Sequence, residues 1–196
     1  MPDTGAPWNI PYVAGTDLVS DYPTDSLALA NAIASGLDAA GPAGIASNVV
    51  QVVKTDTFTT SSATPVTITG LSATITPTSA SSKVLVIAQV VMGDVSTAGA
   101  AGHLIFTGGN AGNYVGDADG VRSQVWATRD VDGGQTVMVN QVGVYLDSPA
   151  TTSATTYNVA MFTSAGTGYI NRTRFDSNAA RFGRGASSIT LIEVAA

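Results

Sequence analysis

The chain has 196 residues with 14 acidic and 8 basic side chains, one His and no Cys, giving a net charge of −6. The missing cysteines exclude a disulfide scaffold and any Cys-ligated metal or cluster. Val, Ile and Thr together number 57 against 27 for Leu, Met, Gln, Glu, Lys and Arg, an inversion that favours strands and argues against an all-helical fold.

Charge is unevenly placed. Residues 1–47 carry Asp3, Asp17, Asp21, Asp25 and Asp38 and no Lys or Arg, so this segment holds −5 of the total, while nine acids and eight bases nearly balance beyond it. No basic stripe crosses the chain, which disfavours nucleic acid as a partner. The opening MPDTGAPWNI has neither the basic nor the apolar region of a secretory signal. The longest apolar run, VLVIAQVVM at 84–92, is far below the roughly 20 residues a membrane-spanning helix needs. The expectation is a soluble chain made in a cytoplasm, without membrane insertion.

In chain order, residues 1–22 read as an extended arm: Pro2, Pro7 and Pro11 punctuate Trp8, Ile10, Tyr12 and Val13. Such an arm either docks its large apolar side chains into a groove on another protein or packs on its own globule. Residues 23–40 read as one helix, opened by Pro23 after Asp21 and closed by Gly41-Pro42. Its stripe of Leu27, Ala30, Ala34 and Leu37, widened by Leu29 and Ile33, needs cover from sister copies in a short bundle or from the following domain. A small-residue linker, GPAGIAS, spans 41–47. From Asn48 onward the pattern turns to period two, predicting strands at 48–54, 57–60, 66–70, 73–76, 83–92, 103–107, 121–128, 136–146, 156–163, 168–171 and 187–194. The predicted class is mainly β, an antiparallel jelly-roll sandwich over 48–196 preceded by the arm and one short helix.

Catalytic chemistry is thinly supplied. His103 is the only imidazole, Glu193 the only Glu, and no nucleophile elbow, phosphate loop or dinucleotide fingerprint occurs. The chain is therefore expected not to be an enzyme and to carry no cofactor or metal. The weak alternative is a carbohydrate-active enzyme working through Asp117, Asp119, Asp130 or Asp132. GDADG at 116–120 resembles the start of a calcium loop, but Val121 and Thr128 stand where ligands belong, so a hairpin turn using Asp119-Gly120 is the better reading. Between 168 and 184, Arg172, Arg174, Arg181 and Arg184 alternate with Tyr169, Phe175 and Phe182, the composition of a ligand surface and equally of a subunit interface. Asn171-Arg172-Thr173 matches the glycosylation sequon, to which no role is given.

The segments TPTSASSKVLVIAQV (76–90), GDADGVRSQ (116–124), YLDSPATTSATTY (145–157), GTGYINRT (166–173) and SSITLIEV (187–194) together resemble a knob domain found at the C-terminal ends of bacteriophage tail-fibre and related virion proteins. The opening PWNIPYVAGTDLVSDYP (7–23) before an Ala-rich helix is similar to the virion-proximal end of such proteins. The resemblance implies a jelly roll like complement globular heads and tumour necrosis factor, assembled as a homotrimer. It further implies residence in the virion, with Trp8, Ile10 and Tyr12 anchoring the arm to a tail, neck or capsid protein. The knob would meet a host-surface glycan or protein through residues among Tyr114, Trp126, Tyr169, Arg172 and Arg174. Long fibres of this kind carry a shaft, for which this chain offers only GPAG at 41–44, so a stub is expected. A capsid decoration or cement protein with no receptor role is the alternative.

Overall fold

A computed structural model describes residues 22–40, 48–110, 114–130 and 136–195, and the chain divides into two compact units, Met1–Ile45 and Ala46–Ala196. The arm with Trp8, Ile10 and Tyr12, the linker at 41–47 and Asp132 lie outside the described residues. In the first unit a helix, α1, runs from Tyr22 to Ala40, as the proline and glycine signals predict. Leu27 is 61% exposed and Ile33 44% exposed, and Ala30 and Ala34 are exposed with them, so most of its described stripe lacks cover. None of its helices is long and apolar enough to cross a membrane among the described residues.

The second unit is a two-sheet antiparallel sandwich of ten strands: β1 (Val49–Lys54), β2 (Phe58–Thr60), β3 (Val66–Ile75), β4 (Lys83–Gly93), β5 (Ala101–Thr107), β6 (Ala127–Asp130), β7 (Met138–Asp147), β8 (Thr155–Thr163), β9 (Gly168–Ile170) and β10 (Ser187–Val194). One sheet runs β1-β10-β4-β7, with β9 and β2 extending it beside the end of β4; the other runs β3-β8-β5-β6. From β2 to β5 and again from β6 to β9 successive strands alternate between the sheets, as in a jelly-roll wrap. The alternation seen in the sequence is the alternation of burial. Val84, Val86, Ala88 and Val90 of β4 point inward and meet Leu104, Phe106, Val159, Met161, Ile189 and Leu191 in one core.

Three predicted strands need correction. VTITG and 73–76 are one strand, not two, because the pairing with β8 slips between Thr67 and Ser72. Gly70, at φ +82°, absorbs the extra residues and switches parity, so Ile68 before it and Leu71, Ala73 and Ile75 after it all face the core. The predicted strand 121–128 shrinks to 127–130. Residues 116–125 form a loop closed on itself by the Gly116 N–H to Val125 carbonyl bond and by Gln124 donating to the Gly116 carbonyl. Within it Gly120 has φ +58° and Arg122 N–H donates to the Asp119 carbonyl, the turn expected at Asp119-Gly120.

Candidate functional site

The five predicted ligand residues fall into two groups. Tyr114 and Trp126 stand in the loop joining β5 to β6. There Trp126 stacks on Phe106 of β5 with centroids 5.2 Å apart, and Tyr114 stacks on Tyr145 of β7 at 5.1 Å. Phe106 also tilts against both tyrosines, at 5.6 and 5.1 Å. Gly143 makes this packing possible, since a Cβ there would stand 2.8 Å from Phe106 and 2.9 Å from Trp126. The Tyr114 hydroxyl accepts a 3.2 Å bond from the Val144 N–H, covering one backbone group on the outer edge of β7. A cleft of about 310 Å³ borders Tyr114, Val115, Gly116, Val125 and Trp126, but the ring faces are largely occupied by one another. Sequence reasoning missed Phe106 and Tyr145; inward positions on strands that meet only across the sheets carry no local signal.

Tyr169, Arg172 and Arg174 belong to the second group, at the far end of β4. Asn171 closes the base of the loop 171–185. It sits in the left-handed region at φ +59°, its N–H donates to Val91 O at 2.9 Å and its carbonyl accepts from Gly185 N–H at 3.0 Å. Its side-chain amide donates to the carbonyls of Lys54 and Asp56, and its side-chain oxygen accepts from Ser187 Oγ at 2.6 Å. The side chain is completely buried, so the sequon is spent on structure. Gly93 lets the loop approach: a Cβ on it would lie 2.3 Å from the Arg172 carbonyl oxygen.

Within this loop the arginines divide. Arg172 lies over the Tyr169 ring at 4.9 Å, donates to the carbonyls of Thr173 and Arg174, and faces Asp176 at 3.3 Å. Arg184 meets the same Asp176 at 2.7 Å. Arg174 lies over Phe175 at 5.7 Å and Arg181 over Phe182 at 4.7 Å, and among the described residues neither has a carboxylate partner. Both therefore present guanidinium forks held by a ring and unneutralised.

The carboxylates weighed for catalysis are dispersed. Asp119 is ion-paired with Arg122 and Asp117 is exposed, while Asp130 stands on β6. Glu193 is buried among Thr78, Ser82 and Asn48; burial alone would favour its neutral form, but hydrogen bonds led by Thr78 hold it down at about 2. Asp147, also buried, accepts from Tyr157 Oη at 2.6 Å and from the Asn110 N–H. Burial, reinforced by this carboxylate, pushes the Tyr145 and Tyr157 hydroxyls well above the ordinary phenol range. His103 tilts against Phe162 at 4.8 Å beside the Thr128 hydroxyl, and desolvation lowers its pKa. Among the described residues no three His, Asp or Glu side chains gather to hold a metal.

A further surface was not anticipated. The outer face of the β1-β10-β4-β7 sheet carries Val49, Ile192, Leu85 and Leu146 as one cross-strand row, then Gln51, Thr190, Ile87 and Val144, then Val53, Ser188, Gln89 and Val142. No charged residue stands in these three rows, and Val142 and Leu146 on the edge strand are 57% and 49% exposed.

No protein-family model and no curated protein matches the chain. Among solved structures it is similar to one described as the structure of infectious bursal disease virus Gt strain, with 16% identity and a TM-score of 0.39. That match covers 79% of this chain and 41% of the other, so the chain spans less than half of its length. At this similarity the match bears on neither family nor function.

Proposed function

We propose that this chain is a non-catalytic structural component of a bacteriophage particle: a short homotrimeric stub, held to a tail, neck or capsid protein by its N-terminal arm, with its β sandwich turned to the host surface. The virion assignment rests on the sequence resemblance of 76–90, 116–124, 145–157, 166–173 and 187–194. The observation that carries the assembly is the uncharged outer face of the β1-β10-β4-β7 sheet, where the Val49-Ile192-Leu85-Leu146 row is wholly apolar and Val53, Ile87, Val142 and Val144 extend it, because contiguous exposed apolar surface marks an association site. The exposed stripe of α1 supports the same reading, since a helix of this length gains stability from partners. Three copies would also present each arm threefold, multiplying weak anchoring contacts by effective concentration.

Sedimentation equilibrium of the full chain should give three times the monomer mass. Particles assembled with a chain lacking residues 1–22 should be missing this protein while the purified truncation stays folded. A monomer in the first experiment overturns the trimer, and normal incorporation in the second overturns the anchor.

A further inference from the structure

The loop 171–185 lies at the opposite end of the sandwich from the point where the chain enters it. Asn48 is bonded to Thr76 and Glu193 near the start of β4, whereas Asn171 packs against Val91 near its end and bonds the Lys54 carbonyl, six residues and roughly 20 Å along β1 from Asn48. A protein tethered through its leading segment therefore carries this loop on the sandwich end remote from its entry point.

Four of the eight cations of the chain sit in this loop against one acid, Asp176, leaving a local excess of three positive charges on a protein of net charge −6. Other acids near this end are already engaged, Asp56 by Lys54 and Asp94 by Arg129. Arg172 and Arg184 spend their charge on Asp176 and so fix the loop, while Arg174 and Arg181 each rest on an aromatic ring with no acidic partner among the described residues. A guanidinium stacked on a ring loses less freedom on meeting an anion, and the ring edge beside it offers apolar surface to the C–H face of a sugar. Two such units in one loop, repeated in an oligomer, match a ligand that repeats its charge.

We propose that this loop binds an acidic polysaccharide, with Arg174 and Arg181 pairing to carboxylates on sugar rings that pack beside Phe175 and Phe182. This names the ligand class for the host-facing end and rests on the attachment reading for its setting. The probe is sodium alginate, titrated calorimetrically into the purified full chain, with neutral dextran and polyglutamate as comparisons. Alginate should bind, weakening as salt rises from about 0.05 to about 0.5 M, and dextran and polyglutamate should not. The double variant Arg174→Gln/Arg181→Gln, which leaves the Asp176 pairs intact, should weaken alginate binding about tenfold, whereas Lys83→Gln at the other end should leave it unchanged. Equal binding of polyglutamate, an undiminished double variant, or an equal loss in Lys83→Gln would overturn the proposal. Light scattering on the same samples reports the oligomer independently, so a failed trimer and a failed ligand site are told apart.

Discussion

Asn171 satisfies five hydrogen-bonding demands while holding a left-handed backbone that most side chains resist. Asn tolerates that conformation, and its amide reaches the carbonyls of Lys54 and Asp56, the first of these bonds buried. Asn171→Ala removes the amide and keeps the strain, so it should cost about 2–4 kcal/mol in urea unfolding. Glu193 has a comparable role at the other end of the sandwich, tying Asn48 and the 76–82 turn to β10. Its folded pKa, about 2, lies below the ordinary 4.5, so its contribution is complete above pH 4.5 and is lost as pH falls toward 2. Unfolding midpoints should decline across that window, and Glu193→Gln should lower stability at pH 7 and flatten the decline. Neither role was legible in the sequence. Asn171 read as a sequon and Glu193 as a lone strand acid, because their partners lie far away in the chain and are brought near only by the wrap of the sheets.

At the scale of elements, period-two runs located nine strands to within a few residues, because inward and outward positions on a sandwich strand differ in polarity at every step. Where that logic failed, a glycine or a local hydrogen bond intervened. β3 keeps an apolar inward face on both sides of Gly70 only because its positive φ shifts the register. A Cβ there would make only ordinary van der Waals contact, 3.7 Å from Lys54 Nζ, so Gly70→Ala tests backbone strain and should cost about 1–2 kcal/mol by thermal or urea unfolding. VRSQVWAT carries β-formers at Val121, Val125, Trp126 and Thr128, yet its first half is claimed by the Gly116 and Asp119 turn bonds and only its end pairs with β5. For the arginine loop, composition revealed the arginines and rings but not their division of labour. Which cations remain unneutralised depends on Arg172 and Arg184 converging on Asp176, and that follows from the loop closing at Asn171 and Gly185.

For the whole molecule the proposed trimer raises the question of which surface would join the copies, the exposed stripe of α1 or the uncharged outer face of the sheet. The sheet offers three aligned rows over four hydrogen-bonded strands, a preformed surface that loses little order on association, whereas α1 exposes only Leu27 and Ile33 among its described large apolar side chains. Residues 46–196 also form a compact unit with a core of their own, so they should fold when expressed alone. If the sheet face dominates, that fragment remains trimeric at micromolar concentration and its melting temperature rises with concentration. Val144→Asp/Leu146→Asp should then convert it to a monomer with an unchanged far-ultraviolet spectrum, since both side chains point away from the core and an aspartate outside it costs little to the isolated fold. A trimeric full chain whose fragment is a monomer would instead place the association in the first 45 residues, and the variant pair would then leave the full-chain trimer intact.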